Sequence, residues 1–391
     1  MKILGDSQIR LFDELFSSLG ETATYSGREI TSSQLSDIDV LVTRSTVNVD
    51  KTLLDNTPVV FVGTCTIGTD HVDLDYLQQK NIAWANAPAC NANAVVQYVL
   101  SAMAQLTPHW INATVGIIGC GNVGGRVHRR LTALGVSCRV YDPFLSHENN
   151  ADLTSLDEVL QSDIITCHAP LTTDGAFPTY HMIGQRELEQ LRPNTLLISA
   201  GRGAVINNQA LLAKLSTADN TLRVALDVWE NEPNILPELM ARVDIATPHI
   251  AGHSLEGKEQ GTVMIYNALC DHLKIVPPIE VSTVVNTEKT SLLDIAGMDA
   301  ISQPSSQEAL NQLLLAAYPI VDDDARLRAW SRGVGSDTQA TVAQHFDHLR
   351  KTYPVRREYS HFYYPDSEGS DTSCGSSGSA INAWLALLSD S

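Results

Sequence analysis

A glycine-rich turn between two strand-like segments constrains the fold of this chain more than any other feature. Residues 114–142 read TVGIIGCGNVGGRVHRRLTALGVSCRVYD, in which three glycines in G-x-G-x-x-G spacing follow an apolar run. Such a turn, placed after a strand and before a helix, is typical of a dinucleotide-binding βαβ unit, because bare backbone and a helix N-terminus can there receive a pyrophosphate. The cofactor contacts predicted in this turn are Gly119, Gly121, Asn122, Val123 and Gly124.

An acidic residue after the second strand indicates which dinucleotide is bound. Asp142 ends the next β-rich run, about 20 residues beyond the glycines, where a carboxylate can accept a hydrogen bond from a ribose 2′-hydroxyl. The same carboxylate would repel the 2′-phosphate of NADP. We therefore expect the cofactor to be NAD.

Alternating strand and helix patterns extend on both sides of this unit and predict an α/β fold with two doubly wound parallel sheets. We expect a flavodoxin-like substrate domain formed by residues 1–90 and, discontinuously, by residues 253–280. Residues 91–252 are expected to form a Rossmann domain that binds NAD. After two consecutive prolines the composition changes, and residues 286–391 are expected to form a C-terminal α+β domain of the kind that most often serves assembly.

The C-terminal segment shows only local patterns. Helical periodicity covers residues 306–317 and 341–351, and a β-rich run covers residues 361–364. Residues 366–379 read DSEGSDTSCGSSGS, a low-complexity sequence to which we assign no structure.

Composition narrows the classes of partner. The net charge of −19, from 45 acidic and 26 basic residues, argues against binding to nucleic acid or to an anionic membrane. The seven cysteines are scattered, without a C-x-x-C motif or a cysteine–histidine spacing typical of zinc, so we expect no metal site and a reducing compartment. No stretch approaches the ~18 apolar residues of a membrane span, and residues 1–10 lack the apolar core of a signal peptide. We therefore expect a cytoplasmic protein.

Three segments that each follow a predicted strand carry side chains suited to redox chemistry on a hydroxy acid. They read SAGRG, DVWENEP and TPHIAG. Arg202 can bind a substrate carboxylate through two parallel hydrogen bonds. His249 can accept the hydroxyl proton as hydride leaves C2, and Glu232 can hold the other imidazole nitrogen and stabilise the imidazolium. This set predicts the NAD-dependent oxidation of a 2-hydroxy acid.

The same segments resemble the signature segments of the D-isomer-specific 2-hydroxyacid dehydrogenases, whose arginine, glutamate and histidine form the catalytic set. The resemblance implies that Glu232, directly before Pro233, takes the catalytic role rather than Glu230. A threonine is common in the family where this chain has Ala169, so that hydroxyl contact is lost here. The further NAD contacts implied by the resemblance are Ala169, Ala200, Gly201, Arg202, Asp227 and Gly252.

Other segments, among them TRS at residues 43–45 and GTCTIGTDHVD at residues 63–73, resemble the branch of this family that oxidises 4-phospho-D-erythronate with NAD. This resemblance covers nearly the whole chain and implies a homodimer formed through the C-terminal domain. Where this chain has His253, the branch usually has a tyrosine. The substrate contacts implied are Ser45, Thr66, Arg202 and His253.

The sequence leaves two other functions open. The same residues would serve another D-2-hydroxyacid dehydrogenase, such as one that acts on 3-phosphoglycerate. An NAD-sensing binding protein could also use this fold without turnover.

Several polar residues outside these motifs have less specific interpretations. His71 stands near two aspartates, but the spacing matches no standard metal site, so we expect a loop role. Cys65 and Cys90 have no activating partner visible in the sequence and are expected to be structural. One basic cluster could meet a substrate phosphate, form a solvated helix end or form an internal network with Glu358. Its members are Arg350, Lys351, Arg356 and Arg357.

Overall fold

The computed structural model describes residues 1–391 except 29, 149, 286, 296–305, 334–338, 366–374 and 390–391. Contacts divide the chain into two compact units, the first of Met1–Ala92 and His253–Glu288, and the second of Asn93–Gly252 and Lys289–Ser391. The segment 286–391, expected to be a separate domain, is thus grouped with the second unit from Lys289 onward. The domain boundaries drawn from the sequence stay a prediction.

The elements follow in chain order. The strands are β1 (Lys2–Asp6), β2 (Glu21–Tyr25), β3 (Val40–Thr43), β4 (Phe61–Thr64), β5 (Ala83–Ala85), β6 (Thr114–Ile118), β7 (Ser137–Tyr141), β8 (Ile164–Cys167), β9 (Leu196–Ser199), β10 (Arg223–Leu226), β11 (Ile245–Ala246), β12 (Thr290–Ser291) and β13 (Phe362–Tyr363). The α-helices are α1 (Phe12–Phe16), α2 (Lys51–Leu54), α3 (Leu74–Gln79), α4 (Ala92–Leu106), α5 (Gly124–Ala133), α6 (Leu156–Val159), α7 (Gln185–Glu189), α8 (Asn208–Leu215), α9 (Pro237–Met240), α10 (Leu255–Leu273), α11 (Gln307–Ala317), α12 (Ile320–Gly333), α13 (Gln339–Lys351) and α14 (Gly375–Ser389). Short 3₁₀ turns cover Ser32–Leu35, Trp110–Asn112, Gly203–Val205, Val281–Thr283, Leu292–Asp294 and Tyr359–His361.

The first unit is built on a parallel sheet in the order β2-β1-β3-β4-β5, which is the flavodoxin-like order. Strands β3 and β4 are buried throughout, as expected for central strands of a parallel sheet covered on both faces. Helix α10 packs directly on β4, since a Cβ at Gly63 would lie 2.2 Å from Cγ2 of Ile265. The second chain segment of this unit therefore completes the core begun by the first.

Strand β2 lies at the edge of this sheet and is mostly exposed. It reads ETATY, and only Tyr25 is buried, because β2 is an edge strand that pairs with β1 alone. The Tyr25 hydroxyl lies 2.9 Å from Oγ1 of Thr43 in β3, which anchors the edge to the sheet centre. A mostly polar edge strand gives no apolar run that a sequence pattern could detect.

The sheet of the second unit is parallel and runs in the order β11-β10-β9-β8-β6-β7. A parallel bridge between Val140 and Leu153 continues it beyond β7. The strand order reverses between β6 and β8, and doubly wound sheets bind their ligands at such a switch point, outside the carboxyl ends of the strands. The predicted α/β fold with two doubly wound parallel sheets is confirmed.

The described part of 289–391 shares a core with helix α4 and the turn that follows it. Nε1 of Trp110 donates to Oδ1 of Asn311 at 2.8 Å, and Oγ of Ser101 donates to the carbonyl of Leu314 at 3.3 Å. These bonds satisfy polar groups at the interface between α11 and the rest of the unit. Among the described residues, no helix is both long and apolar enough to span a membrane.

Two helices of this segment differ from the sequence expectation. Helix α12 reads IVDDDARLRAWSRG, whose charges hide any apolar period, yet Asp323 within it is buried and accepts from the hydroxyls of Tyr318 at 2.7 Å and Tyr353 at 2.6 Å. Helix α14 begins at Gly375, so it includes the end of the low-complexity stretch to which no structure was assigned. The rest of that stretch, 366–374, lies outside the described residues.

Candidate active site

The glycine turn after β6 has the geometry that a dinucleotide pyrophosphate requires. Gly119 has a φ of 81°, in the left-handed region that favours glycine. A Cβ at Gly124 would lie 1.9 Å from the Gly119 carbonyl oxygen, so the first residue of α5 must be glycine for the helix to begin there. At Gly121 nothing lies within 4 Å of an added Cβ, which leaves this backbone open to a ligand. The N–H groups that open α5 supply partial positive charge at the same place.

Asp142, at the end of β7, is held against this turn. Its Oδ2 accepts from the N–H of Cys120 at 2.9 Å, and its Oδ1 accepts from the N–H of Phe144 at 3.0 Å. A pocket of about 410 Å³ opens beside it, and its lining is Tyr141, Asp142, Pro143, Leu145, His147, Leu153, Thr154, Ser155 and Glu158. An adenosine half of NAD fits this combination of a carboxylate and a mixed apolar and polar wall.

Glu232 and His249 form a hydrogen-bonded pair. Nδ1 of His249 lies 2.6 Å from Oε2 of Glu232, and Oε1 of Glu232 accepts from the N–H of Trp229 at 2.7 Å. Burial would raise the pKa of Glu232, but His249, the Trp229 N–H and the Arg350 guanidinium outweigh burial, so the pKa is lowered. An ionised Glu232 keeps the proton of His249 on Nδ1 and leaves Nε2 with its lone pair.

Asp227 organises the segment that carries His249. Its carbonyl accepts from the N–H of His249 at 2.8 Å. Its buried carboxylate accepts from Oγ1 of Thr247 at 2.6 Å, from the N–H of Ile250 at 2.8 Å and from the N–H of Ala251 at 2.9 Å. Burial raises the pKa of Asp227, although His249 and these hydrogen bonds oppose the rise. These bonds hold His249 at a φ of 55°, which non-glycine residues rarely adopt.

The segment that carries Arg202 lies against the segment that carries Glu232. Arg202 follows β9 and precedes the 3₁₀ turn that begins at Gly203, and one of its terminal nitrogens donates to the Gly201 carbonyl at 3.0 Å. A Cβ at Gly203 would lie 1.9 Å from the carbonyl oxygen of Trp229, so these two backbones are in direct contact. The predicted catalytic set therefore lies on neighbouring segments at the carboxyl ends of β9, β10 and β11.

A second glutamate–histidine pair, absent from the sequence predictions, has its glutamate on the same segment as Glu232. Nε2 of His181 is hydrogen-bonded to Oε1 of Glu230, and its Nδ1 lies 3.1 Å from Nδ2 of Asn207. Oε2 of Glu230 accepts from the N–H of Asn208 at 2.7 Å. The ring of Tyr180 stacks on His181 with centroids 4.0 Å apart. No motif surrounds His181, and the only available signal was the second carboxylate of DVWENEP.

The remaining predicted contacts are divided between the two units. Those in the second unit are Ala169, Ala200, Gly201 and Gly252, and those in the first are Ser45, Thr66 and His253. A Cβ at Gly201 would lie 3.2 Å from the carbonyl oxygen of Ala169, so the turns after β8 and β9 pack closely. The roles of all seven toward cofactor and substrate stay predictions.

One member of the basic cluster of the C-terminal segment, Arg356, is buried. Arg356 is 6% exposed, donates to the carbonyl of Ala251, and places its guanidinium 4.3 Å from the ring centroid of Tyr318. Its pKa is raised, because Tyr353, Tyr318 and Asp323 outweigh the lowering effect of burial. Arg356 therefore belongs to an internal network, whose described partners include Ala251 and Tyr318 and not the predicted Glu358, and the role of the cluster toward a substrate phosphate stays a prediction.

Comparison with known proteins agrees with this site. A family model described as the NAD binding domain of D-isomer specific 2-hydroxyacid dehydrogenases matches residues 92–251, and a model described as a domain of unknown function matches residues 293–371. The erythronate-4-phosphate dehydrogenase of Cellvibrio japonicus is 48% identical over 93% of this chain and 94% of that protein. The erythronate-4-phosphate dehydrogenase of Teredinibacter turnerae is 47% identical over the same shares.

Solved structures share the fold at lower sequence identity. The D-lactate dehydrogenase of Aquifex aeolicus, in complex with NAD and lactic acid, is 21% identical and superposes with a TM-score of 0.61 over 70% of this chain and 96% of that one. This likeness shows the fold, and the curated relatives show the branch. The chain belongs to the D-isomer-specific 2-hydroxyacid dehydrogenase family and, within it, to the erythronate-4-phosphate dehydrogenases.

Proposed function

We propose that this protein oxidises the C2 hydroxyl of 4-phospho-D-erythronate to give 3-hydroxy-2-oxo-4-phosphooxybutanoate, with NAD⁺ as oxidant, in the synthesis of pyridoxal phosphate. The observation that carries the proposal is the Glu232–His249 pair, which leaves one imidazole nitrogen with its lone pair at the carboxyl end of the NAD-binding sheet. The names of the curated relatives support the choice of substrate.

Three residues of the second unit have separate roles in the proposed reaction. Arg202 binds the C2 carboxylate through its planar guanidinium and so orients the substrate. Nε2 of His249 accepts the proton of the C2 hydroxyl, and the O–H electron pair forms the new carbonyl bond. NAD⁺ bound along the glycine turn supplies the acceptor for the hydride that leaves C2. Glu232 stabilises the imidazolium that this proton transfer creates.

We propose three further substrate contacts, all of which belong to the first unit. Ser45 and Thr66 can donate hydroxyl hydrogen bonds to anionic oxygens, and His253 can donate one from its ring. His253 replaces a tyrosine that is usual in the branch, so its contribution depends on its protonation state.

We also propose that the protein is a cytoplasmic homodimer that associates through the C-terminal segment, residues 286–391. Exposed apolar side chains in this segment support the assignment, since Val355 is 73% exposed and Tyr363 is 42% exposed. Sedimentation equilibrium of the full chain would measure the mass directly. A monomer at micromolar concentration would contradict this part of the proposal.

Steady-state assays with 4-phospho-D-erythronate and NAD⁺ test the proposed function. We expect turnover with this substrate, a clear preference over 3-phosphoglycerate, and a preference for NAD⁺ over NADP⁺ because of Asp142. Higher kcat/KM with 3-phosphoglycerate would reassign the substrate. The absence of turnover with any 2-hydroxy acid, together with measurable NAD binding, would indicate a binding protein instead of an enzyme.

A further inference from the structure

A hydrogen-bonded chain of hydroxyl groups lies at the carboxyl end of β4 in the first unit. Oγ1 of Thr64 lies 3.0 Å from Nε2 of His71 and 2.8 Å from Oγ1 of Thr66. Oγ1 of Thr66 lies 3.2 Å from the carbonyl oxygen of Gly68. His71, for which the sequence predicted only a loop role, is therefore connected to the predicted substrate contact Thr66.

The carbonyl at one end fixes the direction of every bond in this chain. The Gly68 carbonyl can only accept, so the Thr66 hydroxyl donates its one proton there and accepts from Thr64. The Thr64 proton is then used, so the N–H of His71 Nε2 must be the donor to Thr64. Thr64 is 1% exposed, so water does not compete for its hydroxyl. The N–H of His71 thus begins the hydrogen-bonded chain, and the Gly68 carbonyl ends it.

The backbone around the chain is held from both sides. The carbonyl of His71 accepts from the N–H of Val49 at 2.7 Å, and the carbonyl of Thr66 accepts from the N–H of Ala87 at 3.0 Å. These bonds attach the loop that follows β4 to its two neighbouring segments. The hydroxyl of Thr66 is therefore placed before any ligand arrives.

An oxyanion of the substrate, whether carboxylate or phosphate, requires donors and offers none. Thr66 can turn its proton from the Gly68 carbonyl to such an oxyanion while its own lone pair still accepts from Thr64, and this arrangement strengthens the new bond. We propose that His71 is a positioning residue for substrate binding, which acts through Thr64 to keep the Thr66 hydroxyl a donor to a substrate oxyanion. This rests on the proposed function, in which Thr66 contacts the substrate.

Steady-state kinetics of variants with 4-phospho-D-erythronate and NAD⁺ test this proposal. Thr64→Val removes the central hydroxyl with little change of shape, and His71→Leu removes the terminal donor. We expect either change to raise the KM for the hydroxy acid about 3–10-fold, the effect of one neutral hydrogen bond, while kcat and the KM for NAD⁺ change little. His71→Gln returns an N–H close to the position of Nε2, and its KM should lie near the wild-type value.

Three further variants separate the effect of the hydrogen-bonded chain from general effects on folding. Thr66→Val gives the full cost of losing the contact, and the double variant Thr64→Val/Thr66→Val should be no worse than Thr66→Val alone, because both changes interrupt one path. Thr57→Val makes the same chemical change elsewhere in the unit, where the Thr57 hydroxyl donates to the Leu54 carbonyl at 2.8 Å. It should leave every kinetic constant unchanged.

The outcomes separate this proposal from the function on which it rests. Without wild-type turnover the proposed function fails, and the role of His71 fails with it. A higher KM in Thr66→Val with unchanged KM values in Thr64→Val and His71→Leu would overturn the role of His71 alone. With D-glycerate, which has no phosphate, a KM increase in the variants would assign the oxyanion to the carboxylate. An increase confined to the phosphorylated substrate would assign it to the phosphate, and either assignment supports the proposal.

Discussion

The segment DVWENEP of the second unit contributes the glutamates of two glutamate–histidine pairs, which differ in whether the second ring nitrogen of the histidine is also hydrogen-bonded. In the pair of Glu230 with His181, one ring nitrogen bonds to the carboxylate and the other lies 3.1 Å from the Asn207 amide. In the pair of Glu232 with His249, Nδ1 bonds to the carboxylate, and no described contact uses Nε2. Saturated hydrogen bonding makes the first pair structural, and the remaining lone pair makes the second pair suitable for proton transfer.

Exposure does not distinguish these pairs. The side chain of His181 is 29% exposed and that of His249 is 33% exposed. The difference lies in the neighbours: the glutamate of the first pair also accepts from the N–H that opens α8, whereas the glutamate of the second accepts from Trp229 within its own turn. The first pair therefore connects three segments, and the second orients one ring.

The largest expected effect is on turnover. We expect His249→Ala to lower kcat by about 10²–10⁴-fold, because a positioned general base is lost. His181→Ala removes no group that touches the substrate, so its kcat should stay within about tenfold of wild type, a loss due to misplacement of the neighbouring segment. Steady-state assays of both variants compare the two pairs directly, and equal losses would contradict the distinction.

Substitutions of the two glutamates should affect kcat in the same order as substitutions of the two histidines, with a smaller effect. Glu232→Gln keeps the shape but removes the charge that stabilises the imidazolium, and we expect kcat to fall roughly 10–100-fold, as for a hydrogen bond to a charged group. Glu230→Gln is the matched control two residues away and should change kcat little. A larger loss of kcat in Glu230→Gln than in Glu232→Gln would show that Glu230, and not Glu232, is the catalytic carboxylate.

The free energy of unfolding should depend more on the pair of His181 with Glu230 than on the pair of His249 with Glu232. His181→Ala leaves the partly buried carboxylate of Glu230 and the amide of Asn207 without their histidine partner, and we expect the free energy of unfolding to fall by about 1–3 kcal/mol. Urea denaturation followed by circular dichroism measures this change. An unchanged midpoint would mean that the saturated pair does not hold its three segments together.

The smallest effect concerns acid stability. Because the folded protein lowers the pKa of Glu232 below its ordinary value of 4.5, ionised Glu232 stabilises the fold above that pH, and this contribution is lost as the pH falls through the lower, folded pKa. Glu232→Gln has no such group, so its stability should decline less than that of wild type between neutral pH and about pH 3. Parallel acid dependences measured by thermal unfolding would show that the carboxylate is not stabilised in its charged form.

Much of the second unit could be predicted from the sequence because its signals are local. The glycine turn, Asp142 and the three strand-end segments each carry their chemistry within a few residues, and the parallel order of the strands brings those segments to one edge. The choice of Glu232 over Glu230 is also consistent with the structure, since Glu232 bonds to His249.

The unpredicted features depend on contacts between residues distant in sequence. The His181–Glu230 pair and the bonds from Asp227 to residues 247–251 become visible only when separate turns meet in three dimensions. The hydroxyl chain at His71 is nearer in sequence, but its direction depends on a carbonyl whose orientation the sequence does not specify. Edge strand β2 and the charged helix α12 lack the apolar periodicity on which sequence patterns rely.

Single-turnover formation of NADH, measured with 4-phospho-D-erythronate carrying hydrogen or deuterium at C2, tests most directly the claim that His249 accepts the C2 hydroxyl proton. Loss of the base should make hydride transfer the slowest step, so His249→Gln should form NADH far more slowly than wild type and with a larger deuterium isotope effect. His181→Gln should match wild type in both respects. If His249→Gln kept the wild-type rate, or if His181→Gln showed the larger loss, the assignment of the catalytic pair would be wrong.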